Sequence, residues 1–596
     1  MAIAAVKSFL KDSIVTIGTI CLIWIGLLFV QFGIIGSSFT YGPGDMQLAY
    51  FSFGLNWLSF DPWLRIHGPG PTFNYLSGLL VSTLNIDFTD APLKSFMRMG
   101  IAIQGMTTLV SAIWFAWASK ILQLNYVTRV ILLLTIFSFP PVLIFSGNWG
   151  YGYTVAILGA PLGLTLLAAI RGHNKACVLG GVGCGFLAAN YYPSIFVILA
   201  FLVAMGLQTY NKIGRPPLSG PWIQELKQQR TLIVLFGISS IGAQIIWAIR
   251  FVGNKQWPLV EDLLWITYKT APIVAFFIVS SAIILILIRW DRRFQVFILW
   301  TIVAFILGSF VLLPWYYPNL LRVGAIDVDI FNIFHDLIFL LDDLPWLAVF
   351  WLFVVLLTYV AIRNRRMHQL RLAELSTLPY DLLFITITII PIAITASFYM
   401  QPEGSPSYAV PGIAERIFVA ATPAITAGWV LILLGTPTNR RIYLFFTIVI
   451  FCLVVNINWY RNYNNVIEKN RVTGTIIDNT VENFFERYPT GQLLGVRDAY
   501  FSRYCSTAYA YNRWRTIDSA MYLPSHHLFD NKVIYIWPTD DRYGTIENIL
   551  GGIDSTYFVI AGTYVNRLQR FFLRQGAQVV HVSEFPVQAF IATTDD

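Results

Sequence analysis

The chain has 596 residues, of which 56% are hydrophobic and only 12% are charged, and its formal net charge is +8. This composition excludes an ordinary soluble protein, in which charged residues make up about a quarter of the total. The basic residues are dispersed between long apolar runs, which argues against a nucleic-acid-binding protein.

The apolar runs predict a polytopic α-helical membrane protein with about 13 transmembrane helices. Each run is long enough to cross about 30 Å of hydrocarbon, and the backbone there must satisfy its own hydrogen bonds, so it is helical. The predicted spans lie at about 13–35, 97–118, 126–146, 153–170, 176–191, 193–209, 231–250, 271–289, 294–313, 345–362, 381–399, 416–435 and 442–458.

Basic residues assign the orientation of these spans. With the N-terminus in the cytoplasm, the segments RGHNK, RWDRR and RNRR all fall on the cytoplasmic side, as the positive-inside rule requires. The acidic and aromatic loops then lie outside. We therefore predict an integral protein of a bacterial inner or plasma membrane, with an extracytoplasmic C-terminal part.

Residues 461–596 have a soluble character and predict a small α/β domain that follows the transmembrane domain at 1–460. Strands alternate with helices in this part of the chain, which is typical of α/β folds. Strands are predicted at 493–497, 532–537, 556–561, 577–583 and 588–593, and helices at 474–488, 543–551 and 563–575.

The long first outer loop, 36–96, carries the first candidate site residues. Asp45 lies in the sequence Gly-Pro-Gly-Asp, where glycine and proline fix the backbone. A carboxylate held in this way can act as a general base or bind a metal, or it can simply cap the following helix. His67 precedes a second Gly/Pro-rich turn, and its alternative is a structural histidine.

Two segments resemble the membrane-embedded C-superfamily (GT-C) glycosyltransferases. One is the Gly-Asp after the first span followed by His67-Gly-Pro-Gly-Pro and an aromatic interfacial helix; the other is the 415–423 segment ERIFVAATP. The nearest groups are the aminoarabinose transferases and the protein O-mannosyltransferases. Met46 follows Asp45 where the mannosyltransferases have a second acidic residue, so no metal ligand is assigned and a divalent cation stays an open question.

The resemblance implies an inverting glycosyltransferase that uses a polyprenyl-phosphate-linked sugar on the non-cytoplasmic face. Asp45 would deprotonate the acceptor, His67 would position a substrate, and Arg416 would stabilise the departing phosphate. Further candidates for binding the phosphate or the sugar are Arg322, Lys269, Tyr151, Tyr192 and Trp315. The acceptor would be a glycan, a lipid or a protein, in contact with membrane lipids.

Other interpretations remain open. Arg416 can be an interfacial arginine that pairs with Glu415, and the aromatic residues can belong to the interfacial belt of any membrane protein. The whole chain can be a non-catalytic scaffold for envelope assembly with a transferase-like fold. A flippase or transporter is less favoured, because few polar residues fall inside the predicted spans.

Overall fold

A computed structural model shows a group of packed helices and, later in the chain, a five-stranded sheet. It describes residues 2–34, 92–139, 151–213, 292–309, 352–360, 377–398, 418–436, 440–448, 486–496, 533–536, 556–560, 565–583 and 588–593, with a few single positions beside them. Helix predominates in these residues, as the sequence predicts.

The helical part contains nine complete helices among the described residues, together with two short 3-10 turns. The helices are α1 (Ala2–Ile34), α2 (Pro92–Ile121), α3 (Tyr126–Ser138), α4 (Tyr151–Ile170), α5 (Asn174–Asn190), α6 (Ile195–Ile213), α7 (Arg292–Ser309), α8 (Leu378–Phe398) and α9 (Thr422–Gly435). We call the 3-10 turns the Tyr192 turn (Tyr192–Ser194) and the Val419 turn (Val419–Ala421).

Two helical segments of the described residues are long and apolar enough to cross a membrane, namely Ile101–Ile121 and Gly152–Ile170. They coincide with the second and fourth predicted spans. Several other helices contain shorter apolar segments. The predicted spans at 231–250 and 271–289 lie outside the described residues, so the full number of spans stays a prediction.

Among the complete helices, two predicted spans extend well beyond an observed helix end. Helix α3 ends at Ser138, and Phe139 is already extended (φ −66°, ψ 122°), whereas the prediction continued to 146. Pro140 explains this end, because a proline ring clashes with a helical residue before it. Helix α9 begins at Thr422 rather than 416, with Pro423 in its first turn, where a missing N–H leaves no bond unmade.

The chain direction alternates, so that the helix ends collect at two opposite ends of the helical part. Helices α2 and α4 are parallel, because Thr108 bonds Tyr153 and Trp114 bonds Thr165 further along both helices. Helix α5 is antiparallel to α4, because Gly180 lies against Leu166 and Gly183 against Leu162. The basic end, as we call it, carries Lys120, Arg129, Arg171, Arg293 and Arg441. The turn end comprises the start of α4, the Tyr192 turn and the Val419 turn.

Two glycines one helical turn apart allow a close approach of α4 and α9. A Cβ built on Gly159 would lie 2.9 Å from the Cβ of Thr422, and one on Gly163 would overlap the carbonyl oxygen of Pro423. This Gly-x-x-x-Gly spacing lets two helix backbones approach, as is common between membrane helices. It therefore fixes where α9 begins relative to α4.

Buried hydrogen bonds join neighbouring helices in the middle of the structure. The hydroxyls of Thr108 and Tyr153 lie 2.5 Å apart, and the Trp114 indole donates to Thr165 over 2.9 Å. On the other side of α2, the Trp24 indole donates to the side-chain oxygen of Gln104 over 3.3 Å. These bonds satisfy polar side chains inside an otherwise apolar core, as helices in lipid require.

Large apolar side chains also cover the outside of the helical part. Phe29 on α1 is 75% exposed, Leu22 is 70% exposed, and Tyr443 in the helical residues 440–448 is 72% exposed. Further exposed apolar residues on α1 and α2 are Ile14, Val15, Ile25, Met106, Leu109, Val110 and Ile113. Large exposed apolar side chains in this number are unfavourable in water and indicate surfaces that contact protein or lipid.

The C-terminal sheet confirms the five predicted strands. They are β1 (Gln492–Val496), β2 (Val533–Ile536), β3 (Tyr557–Ile560), β4 (Gln578–His581) and β5 (Ala589–Thr593), in the spatial order β2-β1-β3-β5-β4. Strand β1 is parallel to β2 and β3, whereas β5 is antiparallel to β3 and β4. Helix α10 (Val565–Arg574) corresponds to the helix predicted at 563–575, and the helix predicted at 543–551 lies outside the described residues.

Side chains alternate between the two faces of this sheet. Tyr557 and Phe590 pack with Phe572 of α10, with ring centroids 5.5 Å and 5.8 Å from it. Phe558, the next residue along β3, points to the other face and packs against Phe484 at 5.4 Å. Helical segments therefore cover both faces, which is the layer arrangement expected for an α/β fold.

Candidate functional site

Most of the predicted site residues lie outside the described residues. These are Asp45, His67, Lys269, Trp315, Arg322 and Arg416. The backbone positions of Tyr151 and Tyr192 are described, and both are at the turn end: Tyr151 begins α4 and Tyr192 begins the Tyr192 turn. Their roles as substrate-binding residues stay predictions.

Several segments of the chain meet around the Val419 turn. The Val419 turn packs against α4, α8 and the Tyr192 turn. Phe418, just before the Val419 turn, packs on Phe139 at the end of α3, with ring centroids 6.2 Å apart.

Backbone geometry and hydrogen bonds define both turns. Helix α5 stops at Asn190, Tyr191 is extended (φ −151°, ψ 104°), and the Tyr192 turn follows. The N–H of Tyr191 still donates to the Leu187 carbonyl over 2.7 Å, which closes the last turn of α5. In the Val419 turn, the Thr422 hydroxyl donates to the Val419 carbonyl over 2.6 Å. Hydrogen bonds therefore hold the backbone beside both turns in place.

Two buried hydroxyls at the turn end lack a hydrogen-bond partner among the described atoms. They belong to Thr154 and Ser194, which are only 6% and 2% exposed. The antiparallel contacts between α4 and α5, extended towards the start of α4, bring Thr154 opposite Tyr191, directly before the turn that contains Ser194. Hydroxyls of this kind can donate to or accept from the oxygens of a sugar or a phosphate. Sequence analysis did not single them out, although each is a polar residue beside a helix boundary.

The basic end contains a second polar group that sequence analysis missed. Asp381, in the first turn of α8, is 1% exposed, and one of its carboxylate oxygens lies 3.9 Å from Nη2 of Arg171. Gln208 of α6 is fully buried and donates to the carbonyl of Ile170 over 2.9 Å. Two sequence features could have indicated this polar group. Asp381 is an acidic residue at the start of an apolar helix, and Gln208 is a glutamine inside another apolar helix.

The described residues contain no group of three or more histidine, cysteine or acidic side chains that could hold a metal ion. Asp45 lies outside the described residues, so a divalent cation near it stays an open question.

Comparison with family models, with curated proteins and with solved structures found no match for this chain. The resemblance to the GT-C glycosyltransferases consequently rests on the two sequence segments alone and stays a prediction.

Proposed function

We propose that this chain is an integral membrane glycosyltransferase of the GT-C type, which moves a sugar from a polyprenyl-phosphate donor to an acceptor outside the cytoplasm. The turn end would be the catalytic side and the basic end the cytoplasmic side. The N-terminus would lie in the cytoplasm, and the sheet domain would lie outside.

The membrane part of the proposal is supported by three features of the helical part. Two segments are long enough to span the hydrocarbon, apolar side chains cover the exterior, and buried polar side chains bond between helices. The arginines and lysines at the basic end support a cytoplasmic position for that end, because positive residues remain on the cytoplasmic side.

The observation that carries the catalytic part is the meeting of α4, the Tyr192 turn and the Val419 turn at the end opposite the basic residues. This arrangement brings the backbones of Tyr151 and Tyr192 to one end. The hydroxyls of Thr154 and Ser194, which have no partner among the described atoms, lie at the same end. A sugar phosphate needs cations, hydroxyl partners and flat aromatic faces, and Arg416, which lies outside the described residues, would supply the cation.

The chemistry would be a single inverting displacement. Asp45 would accept the proton of the acceptor hydroxyl while its oxygen forms a bond to the anomeric carbon of the sugar. The bond from that carbon to the phosphate oxygen would break, and Arg416 would stabilise the charge on the released polyprenyl phosphate. His67 would position a substrate, with Arg322, Lys269 and Trp315 as further outer-face contacts.

Transfer of a labelled sugar from a polyprenyl phosphate by purified protein tests this proposal. We expect Asp45→Asn to reduce the rate about 100-fold or more, because a general base contributes on that scale. Asp61→Asn is the matched control, since Asp61 lies in the same loop but has no assigned role. Unchanged transfer by Asp45→Asn would refute the assignment of the base. A folded protein without transfer activity that co-purifies with a stable complex would favour the scaffold instead.

A further inference from the structure

Three helices meet at the basic end around the last residues of α4. Arg171, directly after α4, approaches Asp381 of α8, with Nη2 and Oδ2 3.9 Å apart. Gln208 of α6 donates from Nε2 to the Ile170 carbonyl over 2.9 Å. One turn further along α6, Asn211 donates to the Tyr380 hydroxyl over 2.9 Å, which ties α6 to α8 beside the same group.

Each of the three central side chains has one buried polar atom without a partner among the described atoms. These atoms are Nε of Arg171, Oδ1 of Asp381 and Oε1 of Gln208. Gln208 and Asp381 are 0% and 1% exposed. An unpaired polar atom in such an environment costs about 1–3 kcal/mol, so three of them in one place need an explanation.

The connectivity keeps these atoms close to one another. Ile170, whose carbonyl accepts from Gln208, is the neighbour of Arg171 in the chain, and Arg171 reaches Asp381 with its guanidinium. The three side chains are thus linked through Ile170 and Arg171, at and directly after the end of α4. The bond from Asn211 to Tyr380 holds α6 and α8 together beside them.

The geometry points to an internal water site among Arg171, Asp381 and Gln208. The three atoms are one donor and two acceptors, and a water molecule accepts one hydrogen bond while it donates two. Buried waters typically make about three hydrogen bonds to polar groups that would otherwise be unpaired. A metal cation fits less well because it would lie beside the guanidinium, and an anion fits less well because it would lie beside the carboxylate.

This water would complete the link between α4, α6 and α8. The direct contacts at the basic end join α4 to α6 and α4 to α8, with a separate bond between Asn211 and Tyr380. A bridging water would couple Asp381 to Gln208, which have no direct hydrogen bond in the described structure. The inference is independent of the proposed transferase activity.

A double-mutant cycle on the full-length protein in lipid nanodiscs tests the site. Gln208→Leu and Asp381→Asn should each lower the thermal midpoint. The double variant should lose less than the sum of the two losses, by about 2 °C or more. Gln208→Leu removes the bond to Ile170 whether or not Asp381 is also changed, so this loss cancels in the cycle. The remaining difference in midpoint reports the coupling between Gln208 and Asp381, which the water would carry.

Gln104→Leu is the matched control for Gln208→Leu, because Gln104 is equally buried but bonds to Trp24 on another helix. Its loss should add to that of Asp381→Asn. If a variant fails to fold, a map of the unmodified protein that resolves ordered water should still show a peak within hydrogen-bond distance of the three atoms. Additive losses for Gln208→Leu and Asp381→Asn, or a map without that peak, would overturn the proposal.

Discussion

The two ends of the helical part differ in how their polar groups are arranged. At the basic end, charged and amide side chains form contacts between helices, such as Arg171 with Asp381 and Gln208 with Ile170. At the turn end, helices stop at prolines and irregular turns. Both ends hold buried polar atoms without a partner among the described atoms, but at the turn end these are the hydroxyls of Thr154 and Ser194 rather than charged or amide groups.

Under the proposed function, the basic end contributes to stability and the turn end to ligand binding. Polar contacts that link helices stabilise a structure, whereas interrupted helices expose backbone and side-chain groups that can bind a ligand. We expect substitutions at the basic end to change stability and those at the turn end to change activity. The substitutions of Arg416, Asp381 and Tyr192 test this expectation, whereas that of Gly163 tests the helix packing on which both ends depend. They follow in order of decreasing expected effect.

The largest effect should come from Gly163, which fixes the position of α9 and hence of the Val419 turn. In Gly163→Val the new side chain would overlap the Pro423 carbonyl, which should cost about 3 kcal/mol or more and remove most folded protein. Gly26→Val is the control, because a Cβ at Gly26 meets no atom within 4 Å. Size-exclusion chromatography measures the folded yield, and equal yields would show that the close approach of α4 and α9 is not required.

Arg416→Gln should reduce sugar transfer about 100-fold without changing the thermal midpoint. The reason is that a fixed cation acts on the charge that develops on the phosphate. Arg416→Lys, which keeps the charge but not the planar fork, should retain part of the rate. Rates and midpoints are measured on the same preparations. A large loss of stability with a normal rate per folded molecule would place Arg416 among structural residues.

Asp381→Ala should show the opposite behaviour, with a lower midpoint and a normal transfer rate per folded molecule. Removal of one partner of a fully buried ion pair costs about 3–5 kcal/mol. Arg171 is 27% exposed and can reach solvent, so we expect about 2 kcal/mol. Lys175→Ala, an exposed basic residue at the same end, is the control and should change neither quantity. A selective loss of transfer in Asp381→Ala would contradict the division between the ends.

Tyr192→Ala should have the smallest effect, a rise in KM for the donor of about tenfold. An aromatic face contributes on the order of 1 kcal/mol to stacking beyond its buried area. Tyr192→Phe keeps the ring and should leave KM nearly unchanged. Equal KM values for the unmodified protein, Tyr192→Ala and Tyr192→Phe would show that Tyr192 does not bind the donor and belongs to the interfacial aromatic belt.

Much of the secondary structure could be predicted from the sequence, because it depends on local patterns. The predicted bounds of β1 to β5 lie within one or two residues of the observed ones. The segment around Tyr191 and Pro193 correctly separates α5 from α6. The end of α3 was placed too late because apolar composition continues past Pro140, whereas the backbone preference of the preceding residue changes at that proline.

The arrangement of the helices could not be predicted in the same way. Gly159 and Gly163 are four residues apart, but nothing in the sequence says that their partner is Pro423. Asp381 and Arg171 are more than two hundred residues apart, so their contact depends on the packing of α4 against α8. Asp45 and His67 stay sequence predictions, since they lie outside the described residues.

A structure of the purified protein with a bound polyprenyl-phosphate sugar tests the central claim most directly, because the two ends give opposite answers. The account predicts phosphate density at the turn end, within hydrogen-bond distance of Arg416, with the sugar beside Tyr192 and Asp45. Phosphate density at the basic end beside Arg171 and Arg293, or none at the turn end in an active preparation, would contradict it.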